Sequence, residues 1–335
     1  MTSSPPATEG GHLVIGRSLV QALEKAGHRA SLLVTPDYGF GRNVSTYWAN
    51  WRTDVGNVDQ VISLRYPSYA VRHRPHVCWL THTAREYYDL WPKFSASLSP
   101  LNTIKESVRR MALHRTDSWL LRRHVDRICV LSSTVQRRLL AEFNLASEVV
   151  LPPAPQRAYR CDGYGDYVLA VSRLVPLKRI DLLVRALAEP QAQHVRAVII
   201  GDGAGREDLE QLAADLDVGA RVRFLGHVGD EVLVEHLARC RAVCFTPFDE
   251  DYGFVAIEAF AASKPVVTCR DSGGPLEVVA DGVNGFVVDP EPAAVAEALA
   301  RLSDDQALAA RFGAAGRVRA DSITWEAAIE RLVIV

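Results

Sequence analysis

The sequence predicts an α/β protein made of two Rossmann-like domains, each with a parallel sheet, facing each other across a cleft. Three observations carry this expectation. Short β-branched runs alternate with helical patterns along nearly the whole chain, the habit of βαβ proteins. The 335 residues are enough for about two domains, each with its own core. One proline-rich break, Leu151-Pro-Pro-Ala-Pro155, interrupts the alternation, which then restarts. Consecutive prolines continue neither a helix nor a central strand and make a stiff connector. The expected domains are therefore 1–151 and 152–335, with the last helix packing back on the first.

In chain order, His12 to Gly27 reads as the first helix, because Ile15, Leu19 and Leu23 recur at fourfold spacing and Gly27 supplies a stop. Strand Ala30–Thr35 follows, and Gln60–Ser63, His76–Leu80 and Arg127–Leu131 are further strand candidates. After the linker come strand Tyr167–Val171, helix Asp181–Ala188, strand Val195–Ile200, helix Gly205–Leu216, strand Val222–Leu225 and helix Asp230–Arg239. Strand Ala242–Thr246, helix Phe254–Ala262, strand Pro265–Thr268 and a helix through Ala293–Leu302 complete the second half. In front of the first helix, Met1–Glu9 is polar and proline-bearing and does not read as a strand.

A net charge of -2, 48% hydrophobic residues, 23% charged residues and a mean hydropathy of +0.00 are ordinary globular values. They exclude a strongly basic protein and a disordered one. No run approaches the roughly 18 uninterrupted apolar residues of a membrane span, and the start lacks the basic and apolar regions of a secretory signal, so a cytoplasmic protein is expected. Six scattered cysteines without a C-x-x-C pair read as buried reduced thiols rather than a metal site or disulfide framework. The near-zero net charge is a cancellation. Residues 1–151 hold 19 basic and 12 acidic side chains, a balance of +7, while the remainder holds 19 and 28, or −9. The basic excess is densest in Asn102–Arg127, where seven Lys and Arg face only Glu106, Asp117 and Asp126. That stretch is either a solvated helical face or a surface for an anionic acceptor or anionic membrane headgroups. With Trp119 as its only aromatic residue it offers no row of stacking platforms, which disfavours nucleic acid.

Three motifs carry chemistry, and all lie beyond the carboxyl ends of expected strands, where open α/β sheets bind ligands. In Pro247-Phe-Asp-Glu-Asp-Tyr-Gly-Phe-Val-Ala-Ile-Glu258, Glu250 sits in a loop and Glu258 lies one turn inside a helix. This presents carboxylates to sugar or ribose hydroxyls beside helix N–H groups suited to phosphate. In Ser172-Arg-Leu-Val-Pro-Leu-Lys178, Arg173 and Lys178 are two cations able to neutralise a diphosphate. Ile200-Gly-Asp-Gly-Ala-Gly205 is a glycine-rich strand-to-helix turn, a weak signal alone because such glycines are often structural.

Together with Phe224-Leu-Gly226, Lys264-Pro-Val-Val267, Ser272-Gly-Gly274 and Asp281-Gly-Val-Asn-Gly-Phe286, these motifs occur in the order and spacing of retaining glycosyltransferases of family 4. From about Tyr167 to Val288 the sequence resembles that family, whose fold is glycosyltransferase-B. The resemblance implies a nucleotide diphosphate sugar donor held mainly by the second domain, with no cofactor and no catalytic metal. Arg173 and Lys178 would bind the donor diphosphate, Glu258 the ribose and Glu250 the transferred sugar. Gly201, Asp202 and Gly203 would belong to the donor site, the backbone of Gly253, Phe254 and Val255 would hold sugar and phosphate, and Leu225, Gly226 and His227 would lie by the base.

The first half resembles the family more loosely. Val77-Cys-Trp-Leu-Thr-His-Thr-Ala-Arg-Glu-Tyr-Tyr-Asp89 looks like the segment in which a histidine faces the donor sugar, which makes His82 the candidate that supports the oxocarbenium-like transition state. Gly10 and Gly11 resemble the glycine loop that lets backbone approach the donor phosphates. In the family that loop follows the first strand. The polar Met1–Glu9 segment leads to the expectation that this strand is lacking and two strand edges are unpaired. The reading is a retaining, metal-independent glycosyltransferase acting on a glycan, lipid-linked saccharide or other cell-envelope precursor, possessing a peripheral contact to anionic membrane through 102–127. The alternative is a nucleotide-sugar-binding protein whose catalysis is lost with the incomplete first domain.

Overall fold

The computed structural model describes residues 1–5, 11–39 and 41–334. The chain divides into two compact units, Met1–Pro152 with Thr324–Val335, and Pro153–Ile323.

The first unit contains strands β1 (Thr2–Ser4), β2 (Val34–Pro36), β3 (Val61–Ser63), β4 (His76–Leu80), β5 (Arg127–Val130) and β6 (Glu148–Val149). All pairings are parallel, in the order β3-β4-β5-β6, with β1 and β2 in a separate ladder. Every residue of β4 is buried, as expected of a parallel strand covered on both faces. Helices Gly11–Lys25, Asn43–Arg52, Pro100–His124 and Ser133–Phe143 accompany the strands. The C-terminal helix Trp325–Leu332 belongs to this unit. Trp325 meets the buried Trp79 ring edge-on at 6.2 Å, and Gln60 donates to the Leu332 carbonyl at 2.6 Å.

The expectation of a lacking first strand is corrected here, because Thr2–Ser4 form β1, parallel to β2. Met1 extends the pairing to the other side: its amine donates to the Ile62 carbonyl at 2.6 Å, and its carbonyl accepts from Leu64 N–H at 2.9 Å. The edges of β2 and β3 thus both meet this segment. Polarity misled the sequence reading because small hydroxyl side chains can be buried when they satisfy one another. The Ser3 and Thr35 hydroxyls lie 2.9 Å apart, and both donate to Asn50 Oδ1, at 3.1 and 2.7 Å. Strand β2 is shorter than the expected Ala30–Thr35 because its three-residue partner offers only a three-residue ladder.

The second unit holds β7 (Tyr167–Val171), β8 (Arg196–Ile200), β9 (Val222–Gly226), β10 (Ala242–Cys244), β11 (Val266–Cys269) and β12 (Gly285–Val288). Their order is β12-β11-β10-β7-β8-β9, all parallel. The chain runs outward from β7 through β8 to β9, then returns to the other side of β7 with β10 and continues to β12. Connections therefore leave β7 and β10 in opposite directions, the arrangement that opens a ligand crevice beyond the carboxyl ends of those two strands. One continuous apolar core, including Leu169's neighbours Val168 and Ala170, Leu183, Leu187, Ile199, Val267, Leu299 and Phe312, fixes this sheet against its helices.

Candidate active site

Beyond β7, the chain passes through Arg173 and a short 3-10 turn, Pro176–Lys178, into helix Ile180–Ala188. Beyond β10 it enters the loop that carries Glu250. The two segments meet at the switch point: Lys178 Nζ forms an ion pair with Glu250 Oε2, and Phe248 N–H donates to the Leu177 carbonyl at 2.8 Å. Arg173, on the segment that leaves β7, is exposed, and its side chain has no polar partner among the described residues.

The Glu250 loop is held from three sides. Glu250 N–H donates to the Ser272 carbonyl at 2.8 Å, and Gly274 N–H donates to the Glu250 carbonyl at 2.7 Å. A Cβ on Gly273 would lie 2.7 Å from the Glu250 carbonyl oxygen, and Gly273 has φ +74, so glycine is required for this approach. Arg179, unremarked in the sequence reading, is the third brace. Its guanidinium forks onto Asp271 at 2.8 and 2.7 Å and also donates to the Thr246 and Pro247 carbonyls, both at 2.8 Å. Its position next to Lys178 was the available signal.

Gly253, with φ +84, turns the chain into helix Phe254–Ala261, and a Cβ there would press on the Phe245 and Pro275 side chains. Phe254 and Val255 are half-buried at the helix start, and Glu258 follows one turn later, 6% exposed. Glu258 Oε1 accepts from Tyr159 Oη at 2.8 Å and from Arg157 Nη1, while Arg157 Nη2 pairs with Asp230 Oδ1 at 2.9 Å. Burial pushes the Glu258 carboxyl above its ordinary range, and Arg157 and Tyr159 pull it back. Burial alone would lower the Arg157 guanidinium, but Glu258 and Asp230 more than offset this and raise it. Neither Arg157 nor Tyr159 was singled out from sequence, since both lie in the connector before β7, where no motif marks them.

The glycine-rich turn after β8 packs on the Arg173 loop. A Cβ on Gly201 would fall 1.8 Å from the Ser172 carbonyl oxygen, and one on Gly203 would fall 2.6 Å from that of Leu174. Leu174 N–H donates to the Asp202 carbonyl at 3.0 Å. These glycines let two loops touch, with a direct consequence for where Arg173 stands. The Asp202 side chain is exposed and caps Gly203 N–H at 2.8 Å. Gly226, with φ +72, ends β9, and His227 is exposed after it.

The remaining sequence candidates belong to the first unit. His82 follows β4, and its Nδ1 lies 2.7 Å from the Thr83 carbonyl. That contact requires the hydrogen on Nδ1, which leaves Nε2 as the acceptor nitrogen of the neutral ring. Arg85 forks onto Asp89 Oδ2 at 2.8 and 2.6 Å and orders the segment behind it. Gly11 opens helix Gly11–Lys25, while Gly10 lies outside the described residues. Among the described residues no cluster of three His, Cys, Asp or Glu is placed to hold a metal ion, and no helix is long and apolar enough to cross a membrane.

Residues 158–319 match the family model described as glycosyl transferases group 1. This stretch is a glycosyl transferases group 1 domain. It contains Arg173, Lys178, Glu250 and Glu258. A D-inositol 3-phosphate glycosyltransferase of Streptomyces avermitilis is 37% identical over 172 residues, covering 48% of this chain and 37% of that protein. A GDP-mannose-dependent alpha-(1-6)-phosphatidylinositol monomannoside mannosyltransferase of Mycolicibacterium smegmatis is 37% identical over 178 residues, covering 50% and 46%. The chain thus spans less than half the length of these relatives. Among solved structures, Anabaena HepE in complex with UDP and glucose is 18% identical with a TM-score of 0.72, covering 98% of this chain and 96% of that one. WaaG, a glycosyltransferase involved in lipopolysaccharide biosynthesis, is 16% identical with a TM-score of 0.73, covering 99% and 98%. The group 1 domain therefore sits in a chain with the glycosyltransferase-B fold.

Proposed function

We propose that the chain is a retaining glycosyltransferase that moves a sugar from a nucleoside diphosphate sugar to an acceptor, without a catalytic metal. The observation that carries this reading is the pairing of Lys178 with Glu250 where the segments after β7 and β10 meet, with Arg173 on the same segment as Lys178 and Glu258 one turn inside the helix that follows Glu250. Departure of the nucleotide leaves negative charge on its diphosphate, and preorganised cations there lower the barrier. Arg173 is open to receive it. Lys178 is held by Glu250, and the donor exchanges that pairing, the phosphate taking Lys178 and the sugar hydroxyls taking the freed Glu250. The helix start at Gly253–Val255 adds N–H groups, and Gly11 opens a second helix start in the first unit.

In the transfer, the bond from the anomeric carbon to the phosphate oxygen breaks and a bond to the acceptor oxygen forms on the same face. The departing phosphate accepts the acceptor's proton, and His82 is the candidate that supports the positively charged sugar. Gly201, Gly203, Gly226 and His227 line the nucleotide in this reading. The nonenzymatic alternative rested on a lacking first strand, and β1 removes that ground.

An anionic acceptor at a membrane surface fits the first unit. Helix Pro100–His124 is inverted: its two acids face inward, Glu106 onto Tyr87 and Arg109 and Asp117 onto Tyr47 and Tyr88, while Leu101, Ile104, Val108 and Met111 face solvent at three- and four-residue spacing. Every exposed charge on this helix is positive, including Lys105, Arg115, Arg122 and Arg123. An apolar row with a cationic border suits an anionic bilayer, its side chains entering the interface while the cations meet headgroups. A cavity of about 360 Å³ opens beside the row, lined by Trp91, Ser107, Arg110, Met111, His114 and Arg115. The relatives' names, D-inositol 3-phosphate and phosphatidylinositol monomannoside transferases, agree with a phosphate-bearing acceptor.

A panel of nucleoside diphosphate sugars tests the activity, with the anomeric configuration of donor and product read by NMR. Transfer with retention is expected, and binding of nucleotide with no transfer to any acceptor would overturn the enzymatic reading. For the membrane, vesicles containing phosphatidylglycerol should float the protein and neutral phosphatidylcholine vesicles should not. Flotation unchanged by Val108→Glu would count against this face.

A further inference from the structure

The connector that leads into β7 reaches into the candidate donor site. Arg157 is the hub of this contact: one arm meets Glu258 Oε1, the other meets Asp230 Oδ1 at 2.9 Å, and its side chain is only 14% exposed. Tyr159 donates to the same Glu258 oxygen at 2.8 Å. Both donors converge on Oε1, and among the described residues no contact reaches Oε2. Asp230 opens helix Asp230–Arg239, just behind the Gly226–His227 turn. One guanidinium therefore ties the helix that carries Glu258 to the turn on the nucleobase side.

We propose that Arg157 and Tyr159 are positioning residues that clamp one oxygen of Glu258, so that its other oxygen is presented to the two hydroxyls of a nucleotide ribose. The inference rests on the donor-site reading above and adds residues from a segment that carries no motif. A buried carboxylate without a cation would take up a proton and become a weak acceptor. With both Oε1 donors internal, the carboxylate cannot rotate without breaking them, so Oε2 keeps a fixed direction. Coupling to Asp230 places ribose and base recognition on one brace.

The experiment titrates UDP and GDP, their 2′,3′-dideoxy counterparts and inorganic pyrophosphate into wild type, Arg157→Gln, Arg157→Lys and Tyr159→Phe. Wild type is expected to prefer the ribonucleotide over its dideoxy counterpart by about tenfold or more, the scale of hydrogen bonds to a charged group. Arg157→Gln should bring that preference to about threefold or less, leave pyrophosphate affinity unchanged, and move upward the pH below which ribonucleotide binding weakens. Arg157→Lys should restore part of the preference. A preference and pH profile that stay at wild-type values in folded Arg157→Gln overturn the proposal. If Arg157→Gln fails to fold, Tyr159→Phe decides, since it removes one hydroxyl: a reduced preference supports the clamp and an unchanged one overturns it. Wild type that binds no nucleoside diphosphate overturns the donor-site reading and the clamp with it, whereas wild type that binds without discriminating the hydroxyls overturns the clamp alone.

Discussion

Asp117 in the first unit and Glu258 in the second are both buried carboxylates, and they are satisfied in opposite ways. Asp117 accepts from Tyr47 and, at 2.5 Å, from Tyr88, with no cation against it among the described residues. Burial raises its carboxyl to about 6, while the tyrosines pull it down. Glu258 has a guanidinium and one tyrosine on a single oxygen, and its other oxygen has no partner among the described residues. A carboxylate closed off by hydroxyls from within its own core is a structural device. A carboxylate held on one side by a cation, beyond a strand end, keeps one oxygen without an internal partner among the described residues. Position in the fold, rather than burial or residue type, separates the two.

The largest expected effect lies at the open site. Lys178→Ala should lower kcat about 10²- to 10³-fold for every donor, the cost of one preorganised group aimed at developing charge, while the thermal melt stays near wild type. Near-normal turnover would place Lys178 among ordinary surface pairs and erase the contrast with Asp117. Next, Asp117→Ala should destabilise the protein by about 3 kcal/mol, because at least two buried tyrosine hydroxyls lose their acceptor; urea melts measure this. Affinity of the folded variant for UDP should not change, and a loss of nucleotide affinity would break the proposed division of labour.

A third effect depends on pH. His76 is fully buried in β4, its Nδ1 2.9 Å from the His124 carbonyl and its Nε2 2.8 Å from the Ser63 hydroxyl, while its backbone N–H donates to Asp126. Burial lowers its imidazole to about 4 against an ordinary 6.5. The unfolded chain therefore binds the proton first, and the stability tied to neutral His76 is present above pH 6.5 and lost as pH falls through 4, about 3 kcal/mol in all. Asp117 has the opposite sign: its contribution is present below pH 4 and lost as pH rises through 6. Urea melts of His76→Gln and wild type at pH 7, 5.5 and 4 should converge toward acid, and a constant difference would refute the linkage. The smallest effect concerns β1. Asn50→Ala removes the shared acceptor of Ser3 and Thr35 and should cost about 1–2 kcal/mol, read by the same melts, whereas no change would mean the polar strand needs no such acceptor.

Much of this organisation was legible in the residues. Strands His76–Leu80 and Tyr167–Val171 match their sequence boundaries because buried parallel strands read as unbroken apolar runs between turn residues. The Pro-rich connector marks the division between units because proline excludes regular structure there. That Arg173, Lys178 and Glu250 follow strand ends was readable from their spacing, as was the position of Glu258 one turn inside a helix. What the sequence could not disclose depends on partners distant along the chain. Ser3 can sit buried in β1 because Thr35 and Asn50 meet its hydroxyl. Helix Pro100–His124 faces its acids inward only because tyrosines at 47, 87 and 88 await them, which leaves an apolar row in solvent. Arg157 reaches Glu258 only because the connector folds back onto a helix 101 residues further along the chain. Local patterns report which residues can lie on one face; which face is buried, and which charge meets which, is decided when the tertiary structure supplies the partner.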